Sequence, residues 1–175
     1  MIREARPEDA PAIARVHVDS WRSTYKDIVP DEHLAALSYE RREQGWRDAL
    51  SNPDHPSFVF VAGDEAGKVV GFASGGRERE GNSDYRGELY AIYIFAESQR
   101  RGLGRQLTQA VARRLLSAGT PSMLVWVLAG NPGRAFYEAL GGQYLFEKKI
   151  TIGEKELVEV AYGWQDIRAL YQGHD

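Results

Sequence analysis

Residues 88–105 read ELYAIYIFAESQRRGLGR, an apolar segment followed by a turn rich in glycine and arginine. The run from Glu88 to Phe95 predicts a strand inside a sheet, because its aromatic and β-branched residues are too continuous for an exposed edge. A helix is predicted from about Gly104 to Ala118, and Gly119 would end it as a left-handed cap. Its apolar residues recur every four positions, at Leu103, Leu107, Val111 and Leu115. A strand that leads into such a helix is typical of an α/β sheet.

The turn between this strand and this helix has the composition of a phosphate-binding site. Gly102 and Gly104 allow the backbone to fold tightly and to present its N–H groups at the positive end of the helix. Three arginines add positive charge around the same point: Arg100, Arg101 and Arg105. The sequence therefore predicts a pyrophosphate cradle. A turn that only caps the helix is the alternative that these residues leave open.

Two common phosphate-binding motifs are excluded. The chain has no Gly-x-x-x-x-Gly-Lys-Ser/Thr segment, so it has no P-loop. Leu107 stands where a dinucleotide-binding fingerprint requires its third glycine, and no acid follows at the spacing needed to bind a ribose. The turn must therefore be of another kind.

The rest of the chain predicts one domain, residues 1–175, built from strands and helices. A helix beginning near Pro7 follows a short first strand, and a second helical region over 31–50 is broken near Ser38. A polar, exposed loop is predicted over 77–87. The other strands are predicted at 2–5, 58–62, 68–73, 123–128, 143–152 and 156–164, and a further helix at 132–140. The order predicts an α/β or α+β fold with helices on both faces of one sheet.

Composition excludes several classes of protein. The net charge is -3, with 43% hydrophobic and 27% charged residues, which argues against a disordered chain and against a nucleic-acid binder. There is no cysteine, hence no disulfide scaffold, thiolate metal site or cysteine nucleophile. The four histidines, at 17, 33, 55 and 174, lack metal-ligand spacing, so no metal is expected. No signal peptide or membrane-spanning run is seen, so we expect a cytoplasmic protein without a membrane partner.

Two segments resemble motifs of the GNAT superfamily of N-acetyltransferases. Residues 99–104, QRRGLG, are similar to its Gln/Arg-x-x-Gly-x-Gly/Ala signature, and residues 131–142, NPGRAFYEALGG, resemble its Asn-x-x-Ala-x-x-Phe-Tyr-x-x-x-Gly-Phe segment. Ala96 and Ser98 depart from this pattern, and so does Gly142, which replaces the usual aromatic residue. The resemblance implies a mixed, mostly antiparallel central sheet, splayed between the fourth and fifth strands.

The resemblance also implies acetyl-CoA as a co-substrate and assigns residues to it. The fourth-strand backbone at Ile92, Tyr93 and Ile94 would hold the pantetheine arm, and Asn131 would hydrogen-bond to it. The turn would bind the pyrophosphate. The full set of cofactor-binding residues comprises Ile92, Tyr93, Ile94, Gln99, Arg100, Arg101, Gly102, Leu103, Gly104, Arg105, Asn131, Ala135 and Tyr137.

The same resemblance implies two catalytic residues. Tyr137 would protonate the departing thiolate, since a phenol with a pKa near 10 is a suitable donor. Glu88, at the start of the fourth strand, would remove a proton from the amine, with Asp84 and Glu159 as alternatives. A packed core aromatic and a surface carboxylate are the ordinary structural explanations of Tyr137 and Glu88.

The acceptor is expected to be the primary amine of a small molecule. It would bind against the first helices and the last strands, where Trp21, Tyr25 and Tyr144, with Trp46, offer aromatic side chains that are otherwise simple core residues. Because the chain has no cysteine, transfer is expected to be direct, in a ternary complex. An acyl-CoA sensor without catalysis and a protein or peptide acetyltransferase are the alternatives. The resemblance also suggests a homodimer.

Overall fold

The computed structural model describes residues 1–172, and strands and helices account for most of them. The strands are β1 Ile2–Glu4, β2 Phe58–Gly63, β3 Val69–Arg77, β4 Gly87–Ile94, β5 Met123–Leu128, β6 Gln143–Ile152 and β7 Lys155–Trp164. The α-helices are α1 Ala10–Thr24, α2 Asp31–Ala35, α3 Tyr39–Ser51, α4 Leu103–Ser117 and α5 Arg134–Ala139. The predicted break near Ser38 is confirmed, because the Ser38 hydroxyl accepts a hydrogen bond from the Arg41 N–H and so begins α3.

The strands form one sheet in the order β1-β2-β3-β4-β5-β7-β6. Every neighbouring pair is antiparallel except β4 and β5, which are parallel. The parallel pairing extends only from Gly87 to Leu89 on β4, opposite 123–125 on β5, and beyond it the two strands separate. We call the space between them the gap. The predicted fold class, with its splayed sheet, is confirmed.

A bulge in β4 lies where the gap begins. Leu89 pairs with Gly75 of β3 and Ala91 with Ser74, so Tyr90 is an extra residue in the register. An extra residue bends its strand and increases the local twist. The bulge therefore turns the end of β4 away from β5.

Helices cover both faces of the sheet. On the α4 face, Leu89, Val125 and Val160 pack with Leu107 and Val111 of α4. On the α1 face, the aromatic and aliphatic side chains Phe72, Tyr93 and Leu128 pack beneath the first three helices and the segments that join them. Each large apolar side chain buried in this way contributes about 1.5–3 kcal/mol to folding. Within residues 1–172, no helix has the length and apolar character needed to cross a membrane.

The polar segment before β4 is a mostly exposed loop, as predicted, but some of its side chains are buried. Glu78 is buried, and its carboxylate accepts the backbone N–H groups of Glu80 and Asn82 at 2.8 and 2.6 Å. Arg79 reaches back to Glu88. Two of its charged residues thus also hold the loop against β4, because buried carboxylates must find donors.

Candidate functional site

The gap brings together the two segments that the sequence singled out. We call residues 99–105, which include the start of α4, the Gly/Arg turn; they follow β4 after a short 3-10 turn at Ala96–Ser98, and Asn131 follows β5. Tyr137 lies on α5, whose buried face packs on the α4 side of the sheet. The strands that separate at the gap thus each lead into a predicted binding segment.

The Gly/Arg turn has a backbone that exposes donors. Gly102 has φ 78° and Arg100 has φ 61°, both in the left-handed region. The Gln99 amide donates to the Ile94 carbonyl at 3.1 Å and so ties the turn to the end of β4. Helix α4 begins at Leu103, one residue earlier than predicted, and the first N–H groups of a helix have no partner within it. With Arg100 and Arg101 exposed beside them, these groups fit a phosphate.

Gly104 shows why a small residue is needed in the first turn of α4. A Cβ atom at this position would lie 3.1 Å from the Phe136 ring and 3.5 Å from Ile94. Phe136 belongs to α5, so the absent side chain allows α4 and α5 to approach each other. The glycine therefore positions the helix that carries Tyr137.

Asn131 connects the predicted cofactor side of the gap with the predicted acceptor side. Its Oδ1 accepts the Gly133 N–H at 2.7 Å, and its Nδ2 donates to the Tyr25 hydroxyl at 3.2 Å. The Tyr25 and Tyr93 hydroxyls lie 3.5 Å apart. Burial raises the pKa of both phenols, so both remain protonated at neutral pH. The backbone role predicted for Tyr93 stays a prediction, as does pantetheine binding by Asn131.

Tyr137 is buried, with 8% of its surface exposed, and its ring packs against Phe136 and Tyr162. Burial, and then the proximity of Tyr25, raise the pKa of its hydroxyl well above its usual value. The hydroxyl therefore carries its proton at neutral pH, as an ordinary phenol also would, and the raised pKa makes it a weaker acid. The neighbouring Ala135 is exposed on the same helix.

Glu88 is buried and forms an ion pair with an arginine. Only 2% of its side chain is exposed, and the Arg79 guanidinium donates to its two oxygens at 2.5 and 3.3 Å. The backbone N–H of Arg79 donates a third hydrogen bond to Glu88, at 3.2 Å. The guanidinium also lies over the Tyr90 ring, 4.2 Å from its centroid. The carboxylate predicted as the base is thus held in a charge-assisted pair.

The predicted aromatic acceptor residues are only partly brought together. Trp21 and Tyr25 contact each other on the α1 face, with ring centroids 4.6 Å apart. Trp46 donates to His17 at 3.3 Å and packs on Phe72, within the core between α1, α3 and the sheet. Trp46 therefore packs in the core, and its place in an acceptor pocket stays a prediction.

Tyr144 lies apart from Trp21 and Tyr25. It is 51% exposed and packs against Tyr162, which belongs to the α4 face. The cause is a register shift in β6, where Tyr144 pairs with Tyr162 and Phe146 with Ala161, so that Leu145 is extra. Phe146 consequently takes the α1 face and packs on Trp126 at 5.3 Å. This displacement corrects the expected placement of Tyr144 beside the other two residues.

Sequence reasoning named Glu159 as an alternative base but missed the charged and aromatic cluster around it on the α1 face. Glu159 of β7 lies opposite Leu128, the last residue of β5, and opposite Lys148 of β6. The Lys148 ammonium lies 4.0 Å from the Trp126 ring centroid and also pairs with Glu80. Within residues 1–172, the buried Trp126 indole nitrogen has no hydrogen-bond partner. No local pattern of the sequence brings these residues together, because they lie on different strands and a loop.

Burial raises the pKa of the Glu159 carboxyl. Desolvation raises the pKa of its carboxyl, and Glu80 and Glu88 act in the same direction. Lys148 and Arg79 oppose this shift. In the part of the chain that the structure describes, no three His, Asp or Glu side chains form a group suited to a metal. His174 lies outside the described residues.

Comparison with known sequences places this site in context. Residues 78–150, which contain both motifs, match the family described as FR47-like protein. An uncharacterized N-acetyltransferase of Bacillus subtilis, YuaI, is 45% identical over 169 residues, covering 97% of this chain and 95% of the relative. An L-methionine sulfoximine/L-methionine sulfone acetyltransferase of Pseudomonas paraeruginosa is 31% identical over 140 residues, covering 74% and 72%.

A solved structure has the same fold. The PaiA N-acetyltransferase of Thermoplasma acidophilum, in complex with coenzyme A, superposes with a TM-score of 0.71 at 20% identity, covering 91% of this chain and 96% of that one. At this identity the likeness concerns the fold. That solved structure contains coenzyme A bound to a fold like this one.

Proposed function

The chain belongs to the GNAT superfamily of N-acetyltransferases, and we propose that it transfers the acetyl group of acetyl-CoA to the primary amine of a small molecule. The observation that carries this proposal is the gap between β4 and β5, with the Gly/Arg turn after one strand and Asn131 after the other. A buried, protonated Tyr137 lies on the helix that follows. These features supply binding, positioning and a proton.

Acetyl-CoA would supply an activated thioester, and this chain would bind and orient it. Beyond Leu89, β4 has no β5 partner, so its backbone over 92–94 is available to the pantetheine arm. The N–H groups at the start of α4, with Arg100, Arg101 and Arg105, would neutralise the pyrophosphate. These residues fit the group because the first N–H groups of a helix have no partner within it and would donate to phosphate oxygens.

Tyr137 would donate its proton to the departing thiolate sulfur. The chain contains no cysteine that could carry the acetyl group, so the amine would receive it directly. The role of Glu88 as base stays a prediction, and its pairing with Arg79 argues against it. A homodimer and a cytoplasmic location also stay predictions.

The acceptor would lie on the α1 face, against Trp21 and Tyr25. Phe146 and Trp126 add aromatic surface, and Lys148 and Glu159 provide one charge of each sign. A small amine with a further polar group matches this mixture. The relative that is named for acetylating L-methionine sulfoximine and L-methionine sulfone supports the same class of acceptor.

The test is the release of coenzyme A from acetyl-CoA across a panel of amines that includes L-methionine sulfone, other free amino acids and lysine-containing peptides. We expect turnover with a small amine and a higher melting temperature with acetyl-CoA alone, because a ligand that binds only the native state stabilises it. Stabilisation without turnover on any amine would support the sensor. Turnover confined to the peptides would support a protein acetyltransferase.

A further inference from the structure

Two carboxylates share the α1 face beside the gap. Glu88 pairs in register with Leu124, and Glu159 pairs with Leu128 on the same strand. Leu124 and Leu128 are four residues apart on β5, so their side chains point to the same side of the sheet. Both carboxylates therefore border the space in which an acceptor amine would lie, and their surroundings decide which of them can take up a proton.

Glu88 has little remaining capacity to accept a hydrogen bond or a proton from an acceptor amine. Arg79 occupies both of its oxygens, and only 2% of the side chain is exposed. Its negative charge is balanced by a guanidinium that itself rests on Tyr90. The pair joins the loop before β4 to β4 itself, which is a positioning role.

Glu159 has the opposite surroundings. Its side chain is 22% exposed, and Oε1 lies 3.9 Å from the Lys148 ammonium, beyond hydrogen-bond distance. It lies opposite the end of β5, where the chain turns into Asn131, and its charge acts on the nearby Tyr25 hydroxyl. The carboxylate is thus accessible, close to the gap and not closed off by an arginine.

The charged groups facing Glu159 come from several elements. Lys148 projects from β6, Arg79 and Glu80 come from the loop before β4, and Glu88 from β4 itself. Together with desolvation, the two acids raise the pKa of the Glu159 carboxyl, which Lys148 limits. A general base is most effective when its pKa approaches the working pH.

We propose that Glu159 is the group that removes a proton from the acceptor ammonium, while the Glu88–Arg79 pair positions the loop. This inference rests on the proposed amine acetylation. One N–H bond of the ammonium breaks, its electron pair stays on nitrogen as the nucleophilic lone pair, and an O–H bond forms on Glu159. That proton then leaves to solvent through the exposed edge of the side chain. The second proton lost by nitrogen balances the one that Tyr137 gives to sulfur.

The test compares Glu159→Gln and Glu88→Gln with a matched control, Glu156→Gln. Glu156 lies on the same strand but pairs with Lys149 on the surface, at 3.5 Å. Using the amine of the panel that wild type acetylates, we expect Glu159→Gln to lower kcat/KM about 100-fold at pH 7. It should remove the acidic limb that belongs to Glu159, so that activity rises only at the higher pH at which the amine itself loses its proton, and it should leave acetyl-CoA affinity unchanged. Glu88→Gln should keep the limb, and Glu156→Gln should behave as wild type.

A second variant provides a readout besides activity. Lys148→Met removes a charge that lowers the pKa of Glu159, so the carboxyl should titrate at higher pH in a ¹³C NMR titration. The acidic limb of kcat/KM should move in the same direction. A merely structural role for Glu159 would leave the limb where it is.

The outcomes are distinguishable. If wild type turns over an amine and Glu159→Gln keeps its acidic limb, this inference falls and the proposed function stands. Loss of the limb in Glu88→Gln instead would assign the base to Glu88. If wild type releases no coenzyme A with any amine, the proposed function fails and this inference fails with it.

Discussion

Tyr137 combines a buried ring with a hydroxyl that keeps its proton at neutral pH. Its ring packs between Phe136 and Tyr162, and the surrounding apolar core keeps the hydroxyl protonated. Tyr137→Phe keeps this packing and removes only the oxygen. We therefore expect turnover to fall by at least about tenfold, since positioned acids contribute on the order of 10²–10⁴. Steady-state coenzyme A release measures this.

Acetyl-CoA affinity provides the control for this substitution. Calorimetric titration of Tyr137→Phe should give a Kd close to that of wild type, because the ring still fills its place. Full turnover in the variant would leave Tyr137 as a core residue with no part in proton transfer.

His17 is a half-buried residue whose titration should make the fold less stable in acid. Its ring is stacked on Tyr93 with centroids 5.5 Å apart, and its Nδ1 accepts the Trp46 N–H. Burial, followed by the charge of Arg42, lowers the pKa of His17 to about 4 from the usual 6.5. Between these two values the unfolded chain binds a proton more readily than the native protein. The stability that depends on neutral His17 is therefore fully present above the pKa of the unfolded state, and it is lost as the pH falls towards the native pKa.

His17→Asn tests this linkage, because its amide oxygen can still accept from Trp46 while the side chain does not titrate. Wild type should lose about 3 kcal/mol from His17 between pH 7 and pH 4, in addition to the losses from other groups. Urea unfolding at a series of pH values should show a smaller loss in the variant. Parallel curves for the two proteins would contradict the assignment.

At the scale of elements, two helical glycines allow opposite predictions. In α4, Gly104→Val would place atoms against Phe136, displacing α5 and crowding the Gly/Arg turn, so acetyl-CoA binding should weaken at least about tenfold.

In α3, a Cβ atom added at Gly45 would meet no other atom within 4 Å, so Gly45→Ala should stabilise the protein by about 0.5–1 kcal/mol.

Calorimetric titration with acetyl-CoA and thermal unfolding measure these two effects. Gly45→Ala is the control for binding, because α3 lies on the other face of the sheet from α4. Unweakened binding by Gly104→Val would show that the approach of α4 to α5 does not matter to the cofactor.

Strand register is the element-scale property that patterns did not reveal. The sequence predicts the segments around Tyr90 and Tyr144 as strands, which the structure confirms. It does not reveal the two extra residues, Tyr90 in β4 and Leu145 in β6. A bulge changes which side chains share a face, so Phe146 rather than Tyr144 lies over Trp126.

At the scale of the whole molecule, the sheet order places distant segments together. β7 lies between β5 and β6, which brings Glu159 beside the end of β5 and Lys148 beside Glu159. Residues 79 and 80, far away in the chain, complete the same charged cluster. Such a cluster depends on long-range pairing, so no local pattern of the sequence predicts it.

The sequence by itself determined the elements, the fold class and the segments that border the gap, because these depend on local periodicity, on glycines and on two short motifs. Only the tertiary structure decided how the side chains are paired. It brings Asn131 into a hydrogen bond with Tyr25, pairs Glu88 with Arg79 and leaves Glu159 accessible. The physical reason is that a carboxylate's reactivity depends on burial and on its neighbours in space, which strands distant in sequence provide.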